Sequence, residues 1–508
     1  MKNFLTNNRR SGILAHISSL PSPFGIGDIG PASWNFLNYL QDCGQRCWQF
    51  LPLNPTDDLF DNSPYMSTAA FAGSPLLISP ELLYQEGLIT KYSMLDHPAF
   101  SPYCTEYDKV QLYKTKLLQE AFQEFRKSPP PEFTDYCTEH PWLTDYGLFM
   151  SLKKQHGQKG WFDWPKKEAT RQNQCIAEQV EKLRDSILYY QFEQFIFHQQ
   201  WLELQAKARE RDILLFGDIP IYVGLDSVDV WANQGIFCLD KSTSLPTLVS
   251  GVPPDYFSKT GQRWGNPLYQ WNTLSTTIRN NLIDWWVQRL VSTYEFVDIA
   301  RIDHFRAFES YWAIPAENKD AVNGKWLKGP GPEFFSSIFQ KLGPLNIIAE
   351  DLGIITEEVH KLREDFHFPG MKVLQFAFDG NLDNSFLPHN FTTPNCVVYT
   401  GTHDNDTTVG WFLSNQLDDE IRSTVKHLAN REMHDHSPIH HDMIYLALSS
   451  IAALSIIPLQ DVLGFGNDCR MNTPGVPKGN WGWRCAPEFL TGETATHLRQ
   501  VTKRFNRI

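Results

Sequence analysis

Short apolar runs that end in polar or acidic residues recur along the chain. They are "GILAHISSL" (12–20), "CWQFLPL" (47–53), "ILLFGDIPIYV" (213–223), "FVDIARIDH" (296–304), "NIIAED" (346–351), "KVLQFAF" (372–378), "CVVYTGTHDND" (396–406) and "LSIIPLQD" (454–461). Continuous apolar runs suit strands buried on both faces of a parallel sheet. Between them lie helix-like segments such as "RNNLIDWWVQRLVSTY" (279–294) and "PEFFSSIFQKLG" (332–343). Eight strands alternating with helices predict an α/β fold, a (β/α)8 TIM barrel.

The spacing is uneven. The interval 54–212 is far longer than a barrel repeat, and its second half reads as helices over 112–127 and 173–211 with a Pro-rich joint at 126–136. It predicts a large, mainly helical insertion after the second strand. A smaller insertion, 224–278, follows the third strand and is rich in Gly, Pro and aromatic residues. The barrel itself then comprises 1–53 and 213–508. No internal repeat or low-complexity tract interrupts this order.

Composition narrows the partners. The net charge of -13 disfavours nucleic acid and anionic membrane, which both call for a basic field. The 16 Trp, 18 Tyr and 34 Phe exceed what an ordinary core needs and suit a groove for flat-faced ligands such as sugar rings. Nine cysteines without a CxxC pair read as reduced thiols of a cytoplasmic protein. The start "MKNFLTNNRR" lacks the apolar stretch of a secretory signal, and "IYLALSSIAALSIIPL" (444–459) reads as a buried helix running into a strand.

In such barrels the C-terminal strand ends carry the chemistry. Acidic residues gather there: Asp218, Asp303, Glu350 with Asp351, Asp404 with Asp406, and Asp461. In "VDIARIDHFRAF" (297–308) Asp303 is expected between two cations, Arg301 and Arg306. Arg301 shares its strand face with Asp303, because side chains alternate with period two. A guanidinium there favours the ionised carboxylate of a nucleophile. Glu350 leaves an apolar strand, where desolvation favours the protonated form of a general acid. Two such carboxyl groups, about 5 to 5.5 Å apart, are what retaining cleavage of a glycosidic bond requires. Asp218 and Asp461 read as supporting partners.

The order Arg-x-Asp, then Glu, then His-Asp at strands four, five and seven resembles the α-amylase clan. Within it the chain is most similar to 4-α-glucanotransferases of the amylomaltase, or disproportionating enzyme, type. The similarity runs through "SSLPSPFGIGDIG" (18–30), "SPYMSTAAFAGSPLLI" (63–78), "GDIPIYVGLDSVDVWAN" (217–233), "GVPPDYFSKTGQRWGNPLY" (251–269), "ARIDHFRAF" (300–308), "IIAEDLG" (347–353), "THDNDT" (402–407) and "GNWGWR" (479–484). The resemblance implies Asp303 as nucleophile, Glu350 as acid/base and Asp404 as transition-state stabiliser. It implies that Arg301 and His403 hold the nucleophile and the sugar, and that Tyr65 is the sugar platform. Asp255, Tyr256, Phe257 and Trp264 then belong to a loop arching over the cleft. Met66 and Ser74 depart from the Gln and Asn usual in the family. The implied substrates are α-1,4-glucans, maltooligosaccharides and glucose, with no cofactor and no metal.

Two other readings compete. A hydrolase or phosphorylase of the same clan shares the first half-reaction and differs in the acceptor. A non-catalytic glucan-binding protein would have lost one of the three carboxylates, and none is lost. The histidine-rich "HDHSPIHHD" (434–442) lies away from the strand ends and reads as a loop between helices rather than a metal site. "GPGPEFF" (329–335) reads as a turn before a helix, since no phosphate-loop lysine follows.

Overall fold

The computed structural model describes residues 9–254, 258–415, 417–432 and 436–508. Every apolar run named above overlaps one strand of a parallel sheet. The strands are β1 (Arg10–Leu14), β2 (Cys47–Gln49), β3 (Leu214–Ile219), β4 (Ile299–Ile302), β5 (Ile347–Ala349), β6 (Gly370–Val373), β7 (Cys396–Tyr399) and β8 (Leu454–Pro458). Hydrogen bonding runs in the order β6-β7-β8-β1-β2-β3-β4-β5. All seven pairings are parallel. One backbone bond, from Ala349 N–H to Pro369 O at 2.9 Å, crosses the remaining seam between β5 and β6. The strands are shorter than the runs, because each run continues past the ladder into the loop that carries its polar residues. Gly12 is required where β1 meets β2: a Cβ there would lie 2.3 Å from Cys47 O.

The helices Thr276–Phe296 and Gly331–Leu342 form where the pattern places them. The apolar stretch 444–459 divides between the helix Ile439–Ser449 and β8. Among the described residues, no helix is long and apolar enough to cross a membrane.

Between β2 and β3, residues 54–106 are mostly loops and short turns. The longer helices are Tyr107–Phe125, Pro131–Glu139, Trp142–Gln155, Asn173–Lys182 and Arg184–Glu210. Of the Pro-rich stretch 126–136, residues 126–130 separate the first two helices and 131–136 open the second. Much of the aromatic excess is spent here, where Phe122, Phe125, Phe133, Phe192 and Phe195 meet with ring centroids 4.8 to 5.9 Å apart. The 27-residue helix Arg184–Glu210 also packs on the barrel. Its Trp201 Nε1 donates to Phe296 O at 2.9 Å and its Gln205 Nε2 to Glu295 O at 2.8 Å.

The hydrophobic pattern did not reveal a second sheet. Leu248–Val252 pairs antiparallel with Gln262–Pro267 on one side and Ser310–Pro315 on the other, and Lys325–Lys328 completes four strands. Two strands precede β4 and two follow it, so this sheet frames the strand end that holds Asp303.

Candidate active site

Arg301 occupies the centre of the site. Its guanidinium is buried at the end of β4, donating from Nη1 to Asp218 Oδ2 at 2.6 Å and from Nη2 to Asp303 Oδ1 at 2.7 Å. Burial alone would lower its pKa, but the two carboxylates raise it well above the ordinary value. Tyr65 Oη donates to the same Asp218 oxygen at 2.7 Å. Asp218 thus links the tyrosine to the arginine and supports the site from beneath. Arg306 departs from expectation: it does not flank Asp303. Its guanidinium donates to Ile354 O and Ser310 Oγ and lies over the Trp326 ring, 4.0 Å from the centroid. Residues 303–306 leave the strand through His304, whose φ of 52° turns the chain before the short helix Phe305–Phe308. That turn carries Arg306 away from Asp303.

The same turn connects Asp303 to Glu350. The backbone N–H of His304 donates to Glu350 Oε2 at 2.7 Å, and Leu352 N–H donates to Oε1 at 2.8 Å. Burial pushes the Glu350 carboxyl up, and Asp303 adds to the push; Arg301 and the Leu352 N–H offset only part, leaving it at about 7. A carboxyl so poised carries a proton near neutral pH and can still give it up. The His304 imidazole is lowered to about 4, chiefly by burial, and is neutral. Trp264, on the edge strand of the antiparallel sheet, meets that ring edge-on with centroids 4.8 Å apart.

Asp404 and His403 follow β7. His403 Nε2 lies 3.3 Å from Asp404 Oδ2, and Asn472 Nδ2 donates to Asp404 Oδ1 at 2.6 Å. Burial works to raise Asp404, but His403, Asn472 and Arg301 together outweigh it and hold the carboxyl at about 2. Between about pH 2 and about pH 7, Asp404 is therefore ionised while Glu350 is protonated. Tyr65 stacks on His403, and Trp481 packs against both rings at 5.8 and 6.0 Å. Trp481 belongs to the "GNWGWR" segment and has a φ of 61°. Sequence reasoning missed Asn472 and Trp481 as site residues. The Trp481 segment was visible as a motif; nothing local marked Asn472.

Tyr65, Arg301, Asp303, Glu350, His403 and Asp404 thus converge, with Trp264 at the rim through His304. Asp255, Tyr256 and Phe257 lie outside the described residues. Asp461 accepts from Thr400 Oγ1 at 2.5 Å and Thr408 N–H at 2.7 Å, bracing the loop that carries Asp404. Met66 Sδ accepts from Asn266 Nδ2 at 3.4 Å, and buried Ser74 precedes the turn Pro75–Leu77. In the histidine-rich stretch, His441 packs on His440 and His497 at 4.3 and 4.0 Å. Among the described residues, no group of three or more His, Cys, Asp or Glu is arranged to hold a metal ion; residues 434 and 435 lie outside them.

A family model described as 4-alpha-glucanotransferase matches residues 15–491. A 4-alpha-glucanotransferase of Synechocystis sp. is 48% identical over 510 aligned residues, covering 99% of each chain. One from Thermus thermophilus is 42% identical, covering 98% of this chain and 99% of its own. Among solved structures, the amylomaltase of Streptococcus agalactiae in complex with acarbose superposes with a TM-score of 0.93 at 36% identity, covering 98% of this chain and all of that one. The amylomaltase of Corynebacterium glutamicum, at 17% identity and a TM-score of 0.74, shares the fold. With its barrel, its strand-end carboxylates and this match over nearly its whole length, the chain belongs to the 4-alpha-glucanotransferase family.

Proposed function

We propose that the transfer proceeds with retention through a covalent glycosyl-Asp303 intermediate, moving a segment of an α-1,4-glucan to the 4-hydroxyl of another glucan or of glucose. The reading rests on one observation. Two carboxyls share a backbone hinge: Asp303 on the Arg301 guanidinium, and Glu350, raised to about 7, on the amide that follows Asp303.

In the first half-reaction an Asp303 oxygen attacks the anomeric carbon. The bond to the leaving 4-oxygen breaks, and the Glu350 proton moves to that oxygen. In the second, Glu350, now a carboxylate, takes the proton from the acceptor's 4-hydroxyl. That oxygen forms the new bond to the anomeric carbon, and Asp303 leaves with its electron pair. Asp404 and His403 offer an ionised acceptor and a ring donor to the sugar's hydroxyls, and Tyr65 offers an aromatic face. Acarbose in the Streptococcus agalactiae complex supports an oligosaccharide ligand for this cleft. The -13 charge supports a neutral substrate and no nucleic-acid or membrane partner, and the nine unpaired cysteines support a cytoplasmic setting.

Maltotriose as sole substrate tests the reading. Expected products are glucose and a ladder of longer maltooligosaccharides, with the count of reducing ends nearly constant. A steady rise in reducing ends with no product longer than maltotriose would identify a hydrolase instead. Asp303→Asn should lower turnover by several orders of magnitude while leaving the thermal unfolding midpoint nearly unchanged.

A further inference from the structure

The barrel has one weak seam, and it lies beside the residue assigned as acid/base. Between β5 and β6 a single strand-to-strand bond, Ala349 N–H to Pro369 O, stands in for a ladder. The buried side chain of Asp351 supplies the next link. Its Oδ1 accepts from Met371 N–H at 2.7 Å, the place a backbone carbonyl would take in a regular parallel pair. Its Oδ2 accepts from Arg363 Nη1 at 2.5 Å, tying in the helix Glu357–Asp365. Asp351 lies between Glu350 and Leu352, whose N–H holds Glu350 Oε1.

Gly370 makes room for this junction. A Cβ at 370 would lie 2.3 Å from Arg363 Nη1 and 2.5 Å from Asp351 Oδ2, so a side chain there must displace the pair. The other fastening of the Glu350 carboxylate comes from the turn after the neighbouring strand β4, through His304 N–H. We propose that Asp351, neutralised by Arg363 and admitted by Gly370, is a positioning pair that closes the β5–β6 seam and thereby aims the Glu350 carboxyl at the leaving oxygen. This rests on the acid/base reading of Glu350.

The physical argument is one of reach. A turn of three residues carrying an acid must be held on both sides to keep its proton within hydrogen-bond distance of a leaving group. A displacement of the order of 1 Å can cost about a hundredfold in rate. Removing the Asp351 carboxylate frees Met371 N–H and leaves the Arg363 guanidinium without its buried partner, so the turn is released from β6.

The test uses two donors that deliver the same maltosyl unit but differ in whether the leaving group needs a proton. Maltotriose requires an acid; α-maltosyl fluoride releases fluoride without one. In Asp351→Ala, transfer from maltotriose should fall about a hundredfold and first-turnover fluoride release by less than about fivefold. Gly370→Ala, which keeps both charged groups, should show the same split in weaker form. Asp351→Asn, which can still accept from Met371, should recover part of the loss. If Asp351→Ala does not fold, Gly370→Ala carries the test. Equal losses on both donors in the folded variants would overturn the proposal and leave the junction purely structural. Glu350→Gln separates the two readings: if it shows no preference for the fluoride, the assignment of Glu350 fails; if it does while the seam variants do not, the positioning role fails.

Discussion

Tyr65 lies flat against the imidazole of His403, ring centroids 5.1 Å apart and planes 16° apart, while its hydroxyl is bonded to Asp218. One residue from the loop after β2 therefore touches both the strand-seven pair and, through Asp218, the strand-four pair. The hydroxyl and the ring do separate work, which makes them separable by substitution.

Tyr65→Phe keeps the ring and removes the Oη–Asp218 bond. Asp218 keeps Arg301, so the loss should stay near that of one hydrogen bond to a charged group, about 1.5–3 kcal/mol or roughly ten- to a hundredfold in kcat/KM. Tyr65→Ala removes the stacking face as well and should add a rise in KM for maltooligosaccharides. Steady-state kinetics of both variants on maltotriose measure the division. An Ala variant no worse than Phe would deny the ring a role as sugar platform.

The pH dependence follows from Glu350. Its folded-state pKa is raised to about 7, so the protonated, competent acid is present below that value and lost above it. kcat/KM for maltotriose should fall as pH rises through about 7, approaching tenfold per pH unit beyond it. Asp404, held at about 2, stays ionised throughout and contributes no limb in the working range. With α-maltosyl fluoride the basic limb of the first turnover should disappear, since no proton is needed. A basic limb of equal size with both donors would assign it to another group.

Trp264 bears on transfer against hydrolysis. Its ring meets His304, the residue after Asp303, from the strand Gln262–Pro267. Water stands at roughly 55 M, so a sugar acceptor prevails only through orientation, for which effective molarities of about 10⁵ M are attainable. Trp264→Ala should raise the ratio of reducing ends formed to longer products made, by more than it lowers total cleavage. Chromatography of maltotriose digests measures both. An unchanged ratio would remove Trp264 from acceptor positioning.

Features that are local in the chain were legible in the residues alone. Eight apolar runs marked eight buried strands, because a strand covered on both faces needs an uninterrupted apolar stretch. The carboxylates at their ends stood out, since a charge directly behind such a run is costly unless it is used or paired. Arg301 and Asp303, two residues apart, were readable as neighbours because side chains alternate along a strand. The turn at His304 limited that reading, and Arg306 went to Trp326 instead. Which distant groups complete the site depended on the closed fold. Tyr65 meets Asp218 across 153 residues, Asn472 meets Asp404 across 68, and Met371 meets Asp351 across 20. The antiparallel sheet beside Asp303 was hidden too, as its strands come from both sides of β4 and pair only once the barrel has brought them together. Periodicity reports the face a residue presents; it carries no record of the partner that the closing of the barrel delivers to that face.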